Sequence, residues 1–257
     1  MPDGLRLALT TLTIAPLRPP ERIDRHTAGA AMALAPLVGL GLGWVAAAVL
    51  LAARLADAPL LGSALAVATL AALTRGLHLD GLADTADGLG SYLPAEQARA
   101  VMKQPDVGAL GLATVVLVLL VQVTALLACV EHGRGTASLV LAVVTGRLGV
   151  TFACTRGTPA AAPEGLGALV AGTVATRIPL LSGAATLLVG AGWQAADDHA
   201  GWTGSARAVL AVVAGLLAAR LLRRHAVRRL GGITGDVLGA GVELATCVVL
   251  IVMALGS

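Results

Sequence analysis

The sequence predicts an all-α, polytopic integral membrane protein, and two observations carry that prediction. Of its 257 residues, 57% are hydrophobic and only 13% are charged, and the mean hydropathy is +0.85. A soluble domain has about 25% charged residues, so this chain has too few charges to cover a water-exposed surface. Its apolar residues also fall into long runs, which is the pattern of membrane-spanning helices.

Seven apolar windows approach the roughly 20 residues that a helix needs to cross a bilayer. In chain order they are Ala30–Ala53, Leu60–Leu77, Ala109–Val130, Thr136–Thr155, Leu166–Gly190, Ala206–Leu222 and Val237–Leu255. They predict about seven transmembrane helices within one membrane-embedded domain, residues 1–257. The second and sixth windows are the shortest, and the fifth contains Arg177 and Pro179.

Arginine and lysine residues are distributed unevenly between the connections on the two sides of the predicted membrane. Residues 1–29, residues 75–107 and the last connection hold most of them, and the opposite side holds three: Arg54, Arg134 and Arg207. Excess basic residues mark the cytoplasmic side of a membrane protein. We therefore predict a bacterial cytoplasmic (inner) membrane location, with residues 1–29 and the acidic connection 75–107 in the cytoplasm. The C-terminus is then outside, as is the acidic pair Asp197 and Asp198.

The positive charge of the chain does not indicate nucleic-acid binding. Its formal net charge is +3, and the basic residues are grouped beside apolar windows, as membrane topology requires. We expect no nucleic-acid partner, and the composition implies that the protein is surrounded by membrane lipid.

The most informative segment is His78-Leu79-Asp80-Gly81-Leu82-Ala83-Asp84-Thr85-Ala86-Asp87-Gly88. In a helix, Asp80, Asp84 and Asp87 are i, i+4 and i+7 and share one face. Their repulsion predicts a cation, and hard oxygen ligands favour Mg²⁺, with Mn²⁺ possible. The following glycines leave room for a phosphate, and a solvated loop is the alternative interpretation. His78 is a candidate general base, phosphate donor or structural interfacial histidine.

A second acidic pair lies near the C-terminus, in Gly231-Gly232-Ile233-Thr234-Gly235-Asp236 and the later Glu243. Asp236 and Glu243 are i and i+7 on one helix face, and the glycines before them expose backbone N–H groups to an anion. Glu243 should lie about two turns inside the last span, where an unpaired carboxylate is costly. Arg147 or Arg177 is its natural partner, and a purely structural ion pair is the alternative.

Four basic residues adjoin these motifs and are assigned to substrate binding together with Asp236 and Glu243. They are Arg75, Lys103, Arg228 and Arg229. Arginine and lysine side chains bind phosphate oxygens. The alternatives are anchoring at the cytoplasmic membrane face for the two C-terminal arginines and a solvated helix end for Lys103.

Both motifs resemble those of the cobalamin synthase family, the adenosylcobinamide-GDP ribazoletransferases of late vitamin B12 synthesis. The resemblance rests on Gly76–Gly88 and on Gly231–Ala240 followed by Glu243, with weaker matches at Leu12-Thr13 to Pro16, Pro36-x-x-Gly39 and Met102–Gly108. It covers nearly the whole chain in the family's order. One departure is visible, because many members have Met-Lys-Asp-Ser where this chain has Gln104 and Pro105. An acidic ligand there would have to come from Asp106.

The resemblance implies an enzyme and a reaction. A hydroxyl of α-ribazole, or of its 5′-phosphate, attacks the phosphorus joined to the cobinamide arm of adenosylcobinamide-GDP, and GMP leaves. Positioning and charge neutralisation dominate such transfers, which suits a carboxylate-bound Mg²⁺. His78, Asp80, Asp84 and Asp87 are then the catalytic candidates, and the three aspartates are also the metal candidates. Other late B12-pathway enzymes are possible partners at the bilayer surface.

Two other functions fit parts of the sequence. A CDP-alcohol phosphatidyltransferase begins its motif Asp-x-x-Asp-Gly, which Asp84-x-x-Asp87-Gly88 matches, but the Ala-Arg that should follow is absent. An ion-coupled transporter would hold its acids near the bilayer midplane on broken helices of paired repeats. Arg177-Ile178-Pro179 is the one feature that could mark a broken helix, and no paired repeat is visible.

Overall fold

The chain folds into a bundle of helices, which confirms the all-α prediction. In a computed structural model, residues 1–195 and 201–255 are described, and they contain isolated β-bridges but no strand. Asp197 and Asp198 lie outside the described residues. The helices are α1 (Asp3–Leu12), α2 (Arg25–Ala33), α3 (Ala35–Leu55), α4 (Pro59–Leu73), α5 (Leu77–Gly90), α6 (Ala95–Val101), α7 (Ala109–Glu131), α8 (Gly135–Ala153), α9 (Gly165–Val170), α10 (Arg177–Ala195), α11 (Gly201–Leu230) and α12 (Gly235–Ala254).

Five helices of the described chain are long and apolar enough to cross a membrane: α3, α7, α8, α11 and α12. The chain is therefore a multi-pass membrane protein, but the predicted count of seven spans is not confirmed. The second window yields only the 15-residue α4, because Arg75 and Gly76 both adopt a left-handed backbone (φ of 56° and 67°) and end it. α5 then leaves at 87° to α4, so the two would add a sixth span only as a sharply bent pair.

The fifth predicted window, Leu166–Gly190, is not one helix, and this corrects the sequence prediction. α9 ends at Val170, and the chain runs without helix to Arg177, where α10 begins. Gly172 has a φ of 73°, and Val174 donates its N–H to Cys154 O at 3.0 Å and accepts from Arg156 N at 3.2 Å. Backbone hydrogen bonds to the end of α8 therefore replace those of a continuous helix.

The core lies along α8 and α12, which pack against each other and are surrounded by α3, α5, α7 and α11. Small residues permit the close approach of the two central helices, as is usual in membrane bundles. A Cβ on Gly146 of α8 would lie 2.6 Å from Thr246 Oγ1 of α12. α12 therefore has a fixed position, and its first turn is held against α5.

Candidate active site

The acidic motif forms the helix α5 rather than a solvated loop, and the two faces of this helix differ. The buried face carries His78, Leu82 and Thr85. Asp80 is exposed, and Asp84 and Asp87 are half-buried on the other face. The i, i+4, i+7 spacing therefore separates the carboxylates from the histidine, which packs into the bundle.

α5 meets the second motif at Gly81. A Cβ on Gly81 would lie 2.7 Å from the Asp236 carbonyl oxygen and 2.9 Å from its Cα, so only glycine permits this approach. The contact places Asp236 in the electrostatic range of Asp80 and Asp84. Burial first, and then the charges of Asp80, Asp236 and Asp87, raise the pKa of Asp84 to about 6. The two sequence motifs thus form one negative cluster.

The chain on the N-terminal side of Asp236 is fixed by a distant loop. Ile233 donates its N–H to Pro159 O at 2.9 Å and accepts from Ala161 N at 3.1 Å. Thr234 then caps α12, because its hydroxyl accepts the Val237 N–H at 3.2 Å. These bonds fix the first turn of α12, where backbone N–H groups and the helix dipole favour an anion.

Asp87 has a structural task that the sequence does not reveal. One of its carboxylate oxygens accepts the N–H of Gly108 and the other accepts the N–H of Gly111, each at 2.8 Å. The carboxylate therefore caps the N-terminus of α7, where a negative charge is favourable. It ties α5 to α7 and is turned toward that helix.

Two cavities open beside the acidic cluster. The first, which we call the polar cavity, has a volume of 400 Å³, and the charged and polar residues in its lining are Arg99, Lys103, Glu164, Thr234 and Asp236. It combines two cationic groups, the carboxylates of Glu164 and Asp236, and glycine backbone, which are groups that bind a phosphate and its counter-ion.

The second cavity, of 590 Å³, lies between α5 and α7. Arg75 and Asp80 line it together with apolar side chains, among them Leu79, Leu112 and Val115. Asp80 therefore borders a space with a partly apolar wall, and Arg75 lines the same space; its substrate-binding role stays a prediction.

The remaining predicted residues lie elsewhere. Arg228, Arg229 and Asp106 line neither cavity, and the Arg229 guanidinium lies over the Tyr92 ring at 5.8 Å. Asp106 is exposed. The substrate role of the two arginines and the ligand role of Asp106 gain no support from this arrangement and stay predictions.

His78 and Glu243 belong to a buried polar group inside the bundle. His78 is 3% exposed, and a Cβ on Gly239 of α12 would lie 3.2 Å from its Cα. The Glu243 carboxylate accepts Gln122 Nε2 at 2.8 Å and is attracted to the buried guanidinium of Arg147. Of the two arginines predicted as partners of Glu243, Arg147 is the one whose charge acts on it. Neither His78 nor Glu243 lines the two cavities described above.

Sequence reasoning missed two residues of the polar cavity, Arg99 and Glu164. Arg99 lies within the basic segment 75–107, and its guanidinium donates to Leu230 O at 2.6 Å, across the end of α11. Glu164 precedes α9 in a connection on the same side of the bundle. Both residues lie on the predicted cytoplasmic side, and this was the one sequence feature that could have linked them to the site. Nothing in the local sequence pattern indicates that they approach Asp236.

The donor chemistry suits a hard cation with few protein ligands. Within residues 1–195 and 201–255, no three His, Cys, Asp or Glu side chains are arranged to hold one metal ion. Asp80, Asp84 and Asp87 therefore do not converge as a set of three, because the Asp87 oxygens face α7. Mg²⁺ is usually bound by one or two carboxylates, with substrate phosphates and water completing its shell. The cluster fits that pattern, and the metal stays a prediction.

Comparison with known proteins identifies relatives along the whole chain. The sequence profile of the family described as cobalamin-5-phosphate synthase matches residues 4–254. A protein of Frankia casuarinae named adenosylcobinamide-GDP ribazoletransferase is 47% identical, covering 97% of this chain and 94% of the relative. Proteins of the same name from Nocardioides sp. (40% identical, 99% of both chains) and Pseudomonas aeruginosa (37%, 98% of both) are also similar. No solved structure matches the chain.

Proposed function

The chain belongs to the cobalamin-5-phosphate synthase family, and we propose that Asp80, Asp84 and Asp236 form the centre of its active site. Its activity is that of an adenosylcobinamide-GDP ribazoletransferase, a transferase of cobalamin synthesis. The observation that carries the proposed site is the contact of Gly81 with the Asp236 backbone, which joins the two acidic motifs beside the cavity that Arg99 and Lys103 line.

The reaction breaks the diphosphate bond of adenosylcobinamide-GDP and forms a new phosphate ester bond. A hydroxyl oxygen of α-ribazole, or of its 5′-phosphate, forms a bond to the phosphorus that carries the cobinamide arm. The bond from that phosphorus to GMP breaks, and GMP leaves with the electron pair. The products are adenosylcobalamin, or its 5′-phosphate, and GMP.

The residues of the polar cavity hold the diphosphate. Lys103 and Arg99 neutralise its oxygens, and the N-terminal turn of α12 adds backbone N–H donors. The space between α5 and α7, beside Arg75 and Asp80, receives the bulkier part of a substrate. An aspartate of the cluster takes the hydroxyl proton, because His78 faces the bundle interior and is 3% exposed.

A divalent cation, Mg²⁺ or Mn²⁺, is held by carboxylates of this cluster. Asp80 and Asp84 of α5 and Asp236 of α12 are the residues available to it, since Asp87 is engaged with α7. When bound, the ion supplies charge neutralisation on the departing phosphate. Burial and the neighbouring carboxylates raise the pKa of Asp84, and such an ion would offset the carboxylate charges.

The protein lies in the bacterial inner membrane with its active site in the cytoplasm. The excess of basic residues in the segments around α5 and in the C-terminal part of α11 supports this orientation. Other late B12-pathway enzymes gather at the same bilayer surface, so that the large corrinoid passes between them. Full activity in detergent, with no association of these enzymes at the membrane in cells, would contradict that part of the proposal.

The family match favours this transferase over the two alternatives that the sequence left open. A CDP-alcohol phosphatidyltransferase shares only the fragment Asp84-x-x-Asp87-Gly88. For a transporter, the acids would be expected at mid-depth in the bundle, whereas Asp80 and Asp84 lie on α5 where it meets Asp236 in the first turn of α12.

The decisive experiment measures GMP release by the purified full chain with adenosylcobinamide-GDP, α-ribazole and Mg²⁺. Asp84→Asn should keep the thermal unfolding temperature and lose about 100-fold or more in turnover, because a charge-neutralising contact is removed. Asp57→Asn is the matched control: Asp57 is exposed at the other end of α4. Near-normal turnover by Asp84→Asn would remove the site assignment, and no GMP release by the wild type would remove the activity.

A further inference from the structure

A third cavity, remote from the acidic cluster, lies between α8, α10 and α11 and encloses 320 Å³. Its wall is mostly apolar, with Phe152, Ala153, Leu180, Leu216 and Leu217. Leu180 and Leu217 are 58% and 51% exposed, and in a membrane-spanning bundle such exposed leucines face lipid. The cavity is therefore open toward the hydrocarbon of the bilayer.

One end of this cavity is positively charged. Arg220 and Arg223 line it, and no carboxylate is among the described residues that do. Arg223 is half-buried and donates to the Thr158 hydroxyl at 2.9 Å, a neutral partner that leaves the positive charge uncompensated. Arg220 is exposed. An arginine pair without a counter-charge attracts an anion, and the apolar wall beside it favours a hydrocarbon chain. The cavity therefore suits a ligand that is both anionic and amphipathic.

The depth of the arginines agrees with a phosphate at the membrane surface. At 1.5 Å per residue, Arg220 and Arg223 lie about 27 and 32 Å along α11 from Trp202. Trp202 is 81% exposed near the other end of the helix, where an interfacial tryptophan is expected. The hydrocarbon core is about 30 Å thick, so the two guanidinium groups lie at headgroup level and the leucines lie one turn deeper.

We propose that this cavity binds one anionic glycerophospholipid, with its phosphate on Arg220 and Arg223 and an acyl chain along Phe152, Leu180 and Leu216. The site is separate from the proposed catalytic residues and does not depend on the reaction. It lies at the same end of the bundle as Asp236, because α11 leads directly into the loop before α12. Lipid bound there would hold α10 against α8 and α11.

Native mass spectrometry of the full chain in a neutral detergent tests the site, with phosphatidylglycerol, phosphatidylcholine and glycerol 3-phosphate as separate probes. The wild type should retain one phosphatidylglycerol more strongly than phosphatidylcholine and should not retain glycerol 3-phosphate. The double variant Arg220→Gln/Arg223→Gln should bind phosphatidylglycerol about 25-fold more weakly, because each basic residue at a membrane surface contributes about a fivefold factor.

Arg224→Gln is the matched control. Arg224 is exposed and next in sequence but does not line the cavity, so its loss should change retention little. Because Arg223 also binds Thr158, Arg220→Glu serves as a second variant that leaves that hydrogen bond in place. Equal weakening by Arg224→Gln would mean a diffuse basic surface and would overturn the proposal. Unchanged retention by Arg220→Glu, or equal retention of both lipids by the wild type, would overturn it as well.

Discussion

Replacing Gly81 by alanine should separate the two acidic motifs. The new Cβ would lie 2.7 Å from the Asp236 carbonyl oxygen, and α5 and α12 must part by about 0.7 Å to reach an ordinary contact of 3.4 Å. Both contacting atoms belong to backbone, so no flexible side chain can move aside. Overpacking of this kind costs about 1–3 kcal/mol, and the higher helix propensity of alanine offsets about 1 kcal/mol of it.

Activity should therefore respond more than stability. A displacement approaching 1 Å between catalytic groups costs up to about 100-fold in rate, and we expect a loss of about 10- to 100-fold in GMP release with Gly81→Ala. Thermal unfolding in detergent should shift by only a few degrees.

Two glycine variants serve as controls for this prediction. Gly239→Ala lies on the same α5–α12 interface, but its Cβ would be 3.2 Å from His78 Cα, so its effect should be smaller. A Cβ on Gly41 of α3 would meet no described atom within 4 Å, so Gly41→Ala should leave GMP release unchanged and raise stability by up to about 1 kcal/mol. If Gly81→Ala stays within about threefold of the wild-type rate, the approach of α5 to Asp236 is not what assembles the site, and the reasoning fails.

Three further outcomes follow from the geometry. Asp87→Ala should lower the free energy of unfolding by about 2 kcal/mol, because the cap of α7 is lost. Asp87→Asn keeps one acceptor oxygen and should cost about half as much; thermal unfolding measures both. Mn²⁺ binding, followed by electron paramagnetic resonance, should weaken about tenfold from pH 7 to pH 5. The pKa of Asp84 is raised to about 6, so its carboxyl group is mostly protonated at pH 5 and Mn²⁺ must displace that proton to bind. Glu243→Ala should cost about 3–5 kcal/mol, because Arg147 is then buried without its counter-charge.

Each of these outcomes has a result that contradicts it. An Asp87→Ala protein that unfolds at the wild-type temperature would mean that the two N–H contacts contribute no stability. The same pH dependence of Mn²⁺ binding in Asp84→Asn would assign the titration to another group. A Glu243→Ala protein with normal yield and unfolding temperature would show that Arg147 has another counter-charge.

The sequence alone determined the features that depend on neighbours along the chain. Runs of apolar residues predict α3, α7, α8 and α12, because spanning the bilayer needs about 20 of them in succession. The spacing of Asp80, Asp84 and Asp87 predicts one carboxylate face, because helical periodicity is local. The family resemblance predicted the transferase that the whole-chain comparison then identified.

Only the tertiary structure decided what depends on contacts between distant parts of the chain. The break between α9 and α10 is stabilised by hydrogen bonds to the end of α8, which the apolar pattern of the fifth window hides. Asp87 has the same residue type and spacing as its neighbours, yet two N–H groups of another helix turn it into a cap. Gly81 joins the two motifs because a missing side chain lets two backbones meet. Such contacts follow from how helices pack against one another, which local periodicity does not encode.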